Sequence, residues 1–331
     1  MKKKLIAMLL SAAMCLSLAA CGQKADTPDT TDPAEPSGDA ATYTVGICQL
    51  VQHEALDAAT QGFIDALNEA LPGQVKFEEK NASGDSNSCA TIVNGFVSEG
   101  VDLIMANATA ALQAAASATS DIPVLGTSIT AYGVALDIDD FSGTVGGNVS
   151  GTSDLADLQK QAQMILDWFL ETKTVGLLFC SAEPNSRYQI DEVRKALEAQ
   201  GVTCEEFAFT DSNDVSSVTQ KAADFSDVVY IPTDNTAASN TEAIANVLIP
   251  AGVPAICGEE GLCRGCGVAT LSISYYDLGV TTGKMAAKIL KGEANISEMP
   301  VEYTDATPKY NASICDQLGI TPLDGYEAID G

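Results

Sequence analysis

The stretch SGDSNSCATIVNGFVSEGVDLIMANATAAL (residues 83–112) decides how the rest of the chain is read. A polar turn leads into a helical pattern around Cys89–Ser98. Next comes Asp102 with the apolar run LIMA, and then Asn107 and Thr109 opening an Ala-rich helix. The same order returns in TDSNDVSSVTQKAADFSDVVYIPTDNTAAS (residues 210–239). Working outward from the first copy, YTVGICQ (43–49), VKFEE and PVLGT read as strands. Leu56, Ala59, Phe63, Leu67 and Leu71 recur at helical spacing between the first two. Around the second copy, TVGLLFC, TCEEFAF, DVVYI and VPAIC alternate with helical patterns over 185–200, 215–225 and 235–248. Strand–helix alternation predicts parallel sheets covered by helices on both faces. The repeat reads as two copies of one α/β unit, or as two parallel domains alike only in class; both readings give two lobes.

The predicted fold class is therefore α/β, two doubly wound lobes joined by a multi-strand hinge. VATLSIS, a helix over 276–290, MPVEYT and a short helix over 311–318 complete both sheets, so the chain crosses between lobes more than once. The expected boundaries are 42–150 plus 275–297 for the first lobe, and 151–274 plus 298–331 for the second.

Residues 1–20 open with MKKK and continue through Leu5, Ile6 and Leu9–Leu10 to small residues. A basic start, a short apolar run and a small-residue end predict a signal peptide. The run is shorter than the roughly 20 apolar residues that span a bilayer. LAAC (18–21) resembles the lipobox of bacterial lipoproteins, which implies lipidation of Cys21. Residues 22–41 are Asp, Thr, Pro, Ser and Ala with hardly an aliphatic side chain, and they read as a tether. The expected location is extracytoplasmic, on a bacterial membrane.

Loss of residues 1–20 removes three lysines and no acid, taking the net charge from −28 to −31. A chain this acidic repels phosphate backbones, which excludes nucleic acid as a partner. Eight of the ten cysteines remain beyond Cys15 and Cys21, scattered through a long domain, unlike a small disulfide scaffold. Cys257, Cys263 and Cys266 form the one local cluster. Three close cysteines fall short of a four-ligand metal site. They read first as a local disulfide or buried thiols, then as metal ligands, and last as a redox pair.

Ligands of open α/β sheets bind beyond the carboxyl ends of the strands. The residues there are Gln52, Asn107, Thr109, Thr127, Ser128, Ser153, Asp154, Glu183, Asn185, Asp234, Asn235 and Glu260. Each is also a good helix cap or turn residue taken singly. Together they place helix N-termini, which suit a carboxylate, beside acids that suit an ammonium group. No phosphate loop, dinucleotide fingerprint or nucleophile elbow occurs, and the lone His53 reads as a loop residue rather than a base. The prediction is a binder without a cofactor, not an enzyme.

The segments VGICQLVQHEALDAATQGFIDAL, NASGDS, DLIMANATAALQAA, GGNVSGTSDL, AEPNS, YIPTDNTAAS, GEEG and YYDLGVTTGKMAAKIL cover nearly the whole folded chain. In that order they resemble the substrate-binding lipoproteins of ABC transporters, most nearly the group associated with tryptophan, tyrosine and phenylalanine uptake. The resemblance implies a type I periplasmic-binding fold. It also implies a monomer that takes a small solute, an amino acid above all, and delivers it to a permease with a cytoplasmic ATPase. On that reading Thr127, Ser128, Ser153 and Asn235 donate to the ligand carboxylate, and Asp154 and Asp234 hold its ammonium group. The chain departs from the group at Ser274 and Ala131, where relatives often carry Asp. A nucleoside, sugar or peptide receptor on the same fold, and a metal or redox lipoprotein built on Cys257, Cys263 and Cys266, are the alternatives.

Overall fold

The computed structural model describes residues 43–329, so the expected signal peptide, Cys21 and the expected tether lie outside the described residues. The first lobe begins with β1 (Tyr43–Gln49), α1 (Glu54–Ala70), β2 (Val75–Asn81), α2 (Ser86–Glu99) and β3 (Leu103–Asn107). It continues with α3 (Thr109–Ala118), β4 (Val124–Ile129), the single turn α4 (Tyr132–Ala135) and β5 (Val149–Ser153). The second lobe holds α5 (Leu158–Trp168), β6 (Thr174–Cys180), α6 (Pro184–Glu198), β7 (Thr203–Phe209), α7 (Val215–Phe225) and β8 (Val228–Ile231). α8 (Asn235–Ala238), α9 (Thr241–Ala251), β9 (Ala255–Cys257), α10 (Glu260–Cys266) and β10 (Ala269–Ser272) follow. The chain then returns through α11 (Tyr275–Leu290) and β11 (Glu302–Tyr303), and ends in β12 (Thr307–Tyr310), α12 (Ala312–Leu318) and β13 (Glu327–Ala328).

The sheets run in the orders β11-β5-β4-β3-β1-β2 and β13-β12-β10-β9-β8-β6-β7. All pairs are parallel except β10 with β12. Strands buried on both faces explain the continuous apolar runs LIMA and VVYI: β3 and β8 are buried along their whole length. The chain crosses between lobes three times: at 154–157 from β5 to α5, which packs on the second sheet, at 273–274 from β10 to α11, which packs on the first, and at 304–306 from β11 of the first sheet to β12 of the second.

Two boundaries differ from the expectation. Residues 151–153, assigned from sequence to the second lobe, lie in β5 of the first sheet, with Ile129 paired to Ser153. Residues 302–303, also expected in the second lobe, extend that sheet by pairing Glu302 with Thr152 and Tyr303 with Ser153. The helix expected over 235–248 is broken into α8 and α9 at Ser239 and Asn240.

α11 packs on α1 in the first lobe through glycines. A Cβ on Gly279 would lie 2.0 Å from the Ala59 carbonyl oxygen, and one on Gly62 would lie 2.1 Å from that of Tyr276. Backbones this close leave room for no side chain at either position. The eight cysteines among the described residues are free thiols, seven of them buried, including Cys257, Cys263 and Cys266. Among the described residues no group of His, Cys, Asp or Glu is arranged to hold a metal ion. No helix there is long and apolar enough to cross a membrane.

Candidate functional site

A nearly closed cavity with about 10 Å³ of free space lies between the carboxyl ends of the two sheets. The first lobe contributes His53 and Leu56 from the start of α1, Ser128 and Thr130 from the end of β4, and Asp154 just beyond β5. Asn185, Thr233, Asp234, Asn235, Ala238 and Glu259 come from the second lobe, and Tyr275 from the first turn of α11.

Ser128 reaches the cavity because the β4–β5 ladder changes register between Gly126 and Ile129. Its backbone sits in the left-handed region, at φ 56°. Such a conformation costs a non-glycine residue of order 1 kcal/mol. Its hydroxyl is buried and has no partner. Asp154 is buried beside it. Oδ2 accepts from the Tyr275 hydroxyl at 2.9 Å, whereas Oδ1 has no partner. Burial raises the Asp154 pKa, against the lowering effect of the Tyr275 and Thr130 hydroxyls. α1 starts at the cavity rim with no side-chain cap, and its first helical bond runs from the Asp57 N–H to the His53 carbonyl. The N–H groups of its first turn before Asp57 therefore have no partner within the helix, and the positive end of the helix dipole faces the cavity.

The second-lobe wall is already satisfied. Asp234 Oδ2 accepts from the Cys180 N–H at 2.6 Å and the Ser186 hydroxyl at 2.7 Å. Its Oδ1 caps α8 through the Ala237 N–H at 2.8 Å. Burial and the nearby Glu183 carboxylate push its pKa up to about 8. Glu183 accepts from the backbone N–H and side-chain amide of Asn235 and from the N–H and hydroxyl of Thr236. Glu259 caps α10 through the N–H groups of Gly261 and Leu262, and burial pushes its pKa up to about 7. Asp154, Asp234 and Glu259 line the cavity, and no Lys or Arg does. His53 Nε2 lies 3.2 Å from Asn235 Oδ1 across the cleft. Burial lowers the His53 pKa, opposed by its bond to Asn235 and by Glu183 and Asp57, so the ring is neutral at pH 7.

Of the residues expected from sequence, Ser128, Asp154, Asn185, Asp234 and Asn235 face the cavity. The others lie off it. Gln52 lines a separate groove on the first lobe with Gln49 and Asn81. Asn107 is buried and fastens α1 by donating to the Leu56 carbonyl and the Thr60 hydroxyl. Thr109 is buried in the first turn of α3. Thr127 pairs with the Thr152 hydroxyl inside the sheet. Ser153 donates to the Thr130 carbonyl and accepts from the Leu155 N–H. Glu183 lines an outer compartment beyond Asn235. Glu260 pairs outward with Arg264 and Lys309, while its neighbour Glu259 takes the cavity position. His53, Thr130, Thr233, Glu259 and Tyr275 are the polar cavity residues that sequence reasoning missed. His53 lies in the loop between β1 and α1, and Tyr275 opens the YYDLG segment just beyond β10, so position after a strand was the available signal.

The family model described as ABC transporter substrate binding protein matches residues 44–325. A tyrosine-binding protein of Clostridioides difficile (strain R20291) is 30% identical over 312 residues, 92% of this chain and 89% of that one. A solved ABC domain from Streptococcus pneumoniae in complex with L-Trp is 32% identical, with a TM-score of 0.82 over 88% of this chain and 100% of that one. A ligand-free, open substrate binding protein with adhesive properties from Clostridium difficile is also 32% identical. Its TM-score is 0.66 over 87% of this chain and 99% of that one. Identity and coverage are nearly equal for these two structures, so the difference lies in shape. The chain superposes better on the Trp complex than on the ligand-free, open structure. With its two-lobed type I periplasmic-binding fold and its cleft between the sheets, the chain belongs to the ABC transporter substrate binding protein family.

Proposed function

We propose that this protein captures a free amino acid, aromatic by preference, and hands it to the permease of an ABC importer. The observation that carries the reading is the pair of unpartnered buried atoms in the cavity, Asp154 Oδ1 and Ser128 Oγ, beside the uncapped start of α1. A buried carboxylate oxygen with open valence accepts from an ammonium group. A free hydroxyl and helix N–H groups donate to a carboxylate. The two together match the α-carbon end of a zwitterion. Asp154 is thus the ammonium ligand and Ser128 a carboxylate ligand. Asp234 suits the first role less well, because it already accepts three hydrogen bonds within its own lobe. The aromatic preference is supported by the names of the relatives, one tyrosine-binding and one solved with L-Trp. A lipid on Cys21 would hold the protein beside its permease at high effective concentration.

Thermal unfolding of residues 42–331 in the presence of each amino acid, with nucleosides and sugars for comparison, tests this. A ligand at about 100 times its Kd adds roughly 2.7 kcal/mol. That shifts the midpoint of a domain this size by about 5 °C. A shift with a nucleoside or sugar and none with any amino acid would refute the reading.

A further inference from the structure

α1 begins with two consecutive residues that each reach the second lobe. His53 meets Asn235. Asn235 gives its side-chain N–H to Glu183 Oε2 at 2.7 Å, so its Oδ1 faces His53 and the His53 Nε2–H donates. Glu54 Oε1 lies 3.0 Å from the Arg264 guanidinium, which also contacts Glu260 Oε1 at 2.9 Å. Both second-lobe partners are held within their own lobe, Asn235 by Glu183 and Arg264 by Glu260. The atoms with open valence toward a ligand, Ser128 Oγ and Asp154 Oδ1, lie at the ends of first-lobe strands. The same helix start therefore borders the ligand atoms and carries both contacts across the cleft.

We propose that the first turn of α1 is a closure clasp. In the closed form His53 and Glu54 seat on Asn235 and Arg264, which are already fixed, and a ligand docked on the first lobe adds to a closed population that the clasp holds even without it. The clasp rests on the cavity being the amino-acid site. His53 and Glu54 are positioning residues: they hold the closed form, and so govern how fast the solute leaves rather than how fast it arrives. Glu54 does not line the cavity, so its effect is separable from direct contact with the ligand.

The test measures association and dissociation of L-tyrosine and L-tryptophan on the mature chain. Glu54→Gln is expected to speed dissociation roughly twofold to fivefold, as for an exposed ion pair. His53→Ala is expected to speed it roughly tenfold through loss of a buried hydrogen bond. Association in Glu54→Gln, which does not touch the cavity, stays within about twofold, because the steps before closure are unchanged. His53→Gln keeps an N–H donor and restores slow dissociation. The chain has one histidine, so its imidazole NMR signal is unambiguous. With amino acid bound, that ring stays neutral to a lower pH than without it. Unchanged dissociation in both variants, or a His53 titration identical with and without saturating amino acid, overturns the clasp. If neither amino acid binds, the functional reading falls and the clasp is judged by small-angle scattering of the ligand-free chain. The His53→Ala/Glu54→Gln variant must then show a larger radius of gyration than the native chain; equal radii refute the clasp.

Discussion

Replacing Asp154 by Asn tests the site most directly. The amide keeps the carboxylate's shape and still accepts from the Tyr275 hydroxyl, but the charge that would face an ammonium group is gone. Truncating one partner of a buried, hydrogen-bonded charge pair costs about 2–5 kcal/mol. At 1.4 kcal/mol per factor of ten, the Kd rises roughly 30-fold to several thousand-fold. Asp154 must also be ionised to receive the ammonium group, and burial holds its pKa above the usual carboxylate range. In the native chain the Kd therefore rises on acidification through that pKa, by at most about tenfold per pH unit for one proton. Asp154→Asn removes this dependence along with the affinity. Isothermal titration calorimetry with L-tyrosine and L-tryptophan between pH 5 and pH 8 reads both effects. Binding by the variant within threefold of the native chain at pH 8 would refute the assignment of Asp154.

Ser128→Gly removes the free hydroxyl at a left-handed backbone position that glycine adopts without strain. Affinity is expected to fall about 10-fold to 150-fold, the worth of a hydrogen bond to a charged group, while the ligand-free melting temperature holds or rises. Asp234→Ala leaves the Cys180 and Ala237 N–H groups and the Ser186 hydroxyl without their acceptor. Differential scanning calorimetry is expected to show a loss of about 1–3 kcal/mol or more, and an unchanged melting temperature would contradict the fastening role. Asp234 and Glu259 have folded-state pKa values near 8 and 7, above their unfolded values, so the folded chain holds more protons than the unfolded one between about pH 4 and pH 8. Their contribution is complete below pH 4 and is lost as pH rises through 7 and 8. Urea unfolding of the ligand-free chain should therefore give higher stability at pH 5 than at pH 8, with each group contributing at most about 1.4 kcal/mol per pH unit. Cys21→Ala is expected to release the protein from cells into the medium; retention in the membrane fraction would show that lipid on Cys21 is not the anchor.

The two-lobed order was legible in sequence because most strands are buried on both faces and carry unbroken apolar runs. β5 was not. Its sequence VSGTS holds a single apolar β-former, and Gly151 sits at φ 143°, a conformation suited to glycine. Pairing on both sides imposes its extended state, and a Cβ on Gly151 would come within 2.0 Å of the Gly126 carbonyl oxygen. Candidate polar residues were legible by their position after strands, but their roles depend on partners far along the chain. Asp234 and Asp154 read alike in sequence. One is consumed by Cys180 and Ser186, 54 and 48 residues away, and the other keeps an oxygen open. GEEG offered two glutamates, and only the capping geometry of α10 puts Glu259 on the cavity side. The two departures, at Ser274 and Ala131, lie off the cavity. Ser274 is exposed and caps α11 through the Asp277 N–H, and Ala131 precedes α4.

The glycine-to-backbone contact between α1 and α11 bears on how the protein is made. α1 ends at residue 70 and α11 starts at residue 275, so the first lobe cannot be finished until the second has been synthesised. A nascent chain halted anywhere before Tyr275 leaves the bare Gly62 face of α1 without its cover. Completion of the first lobe thereby becomes a check on chain length: the helix whose N-terminus borders the cavity gains its outer cover only when the polypeptide is nearly whole. A truncated product would emerge with the Gly62 face of α1 bare, fit for proteolysis rather than for solute capture.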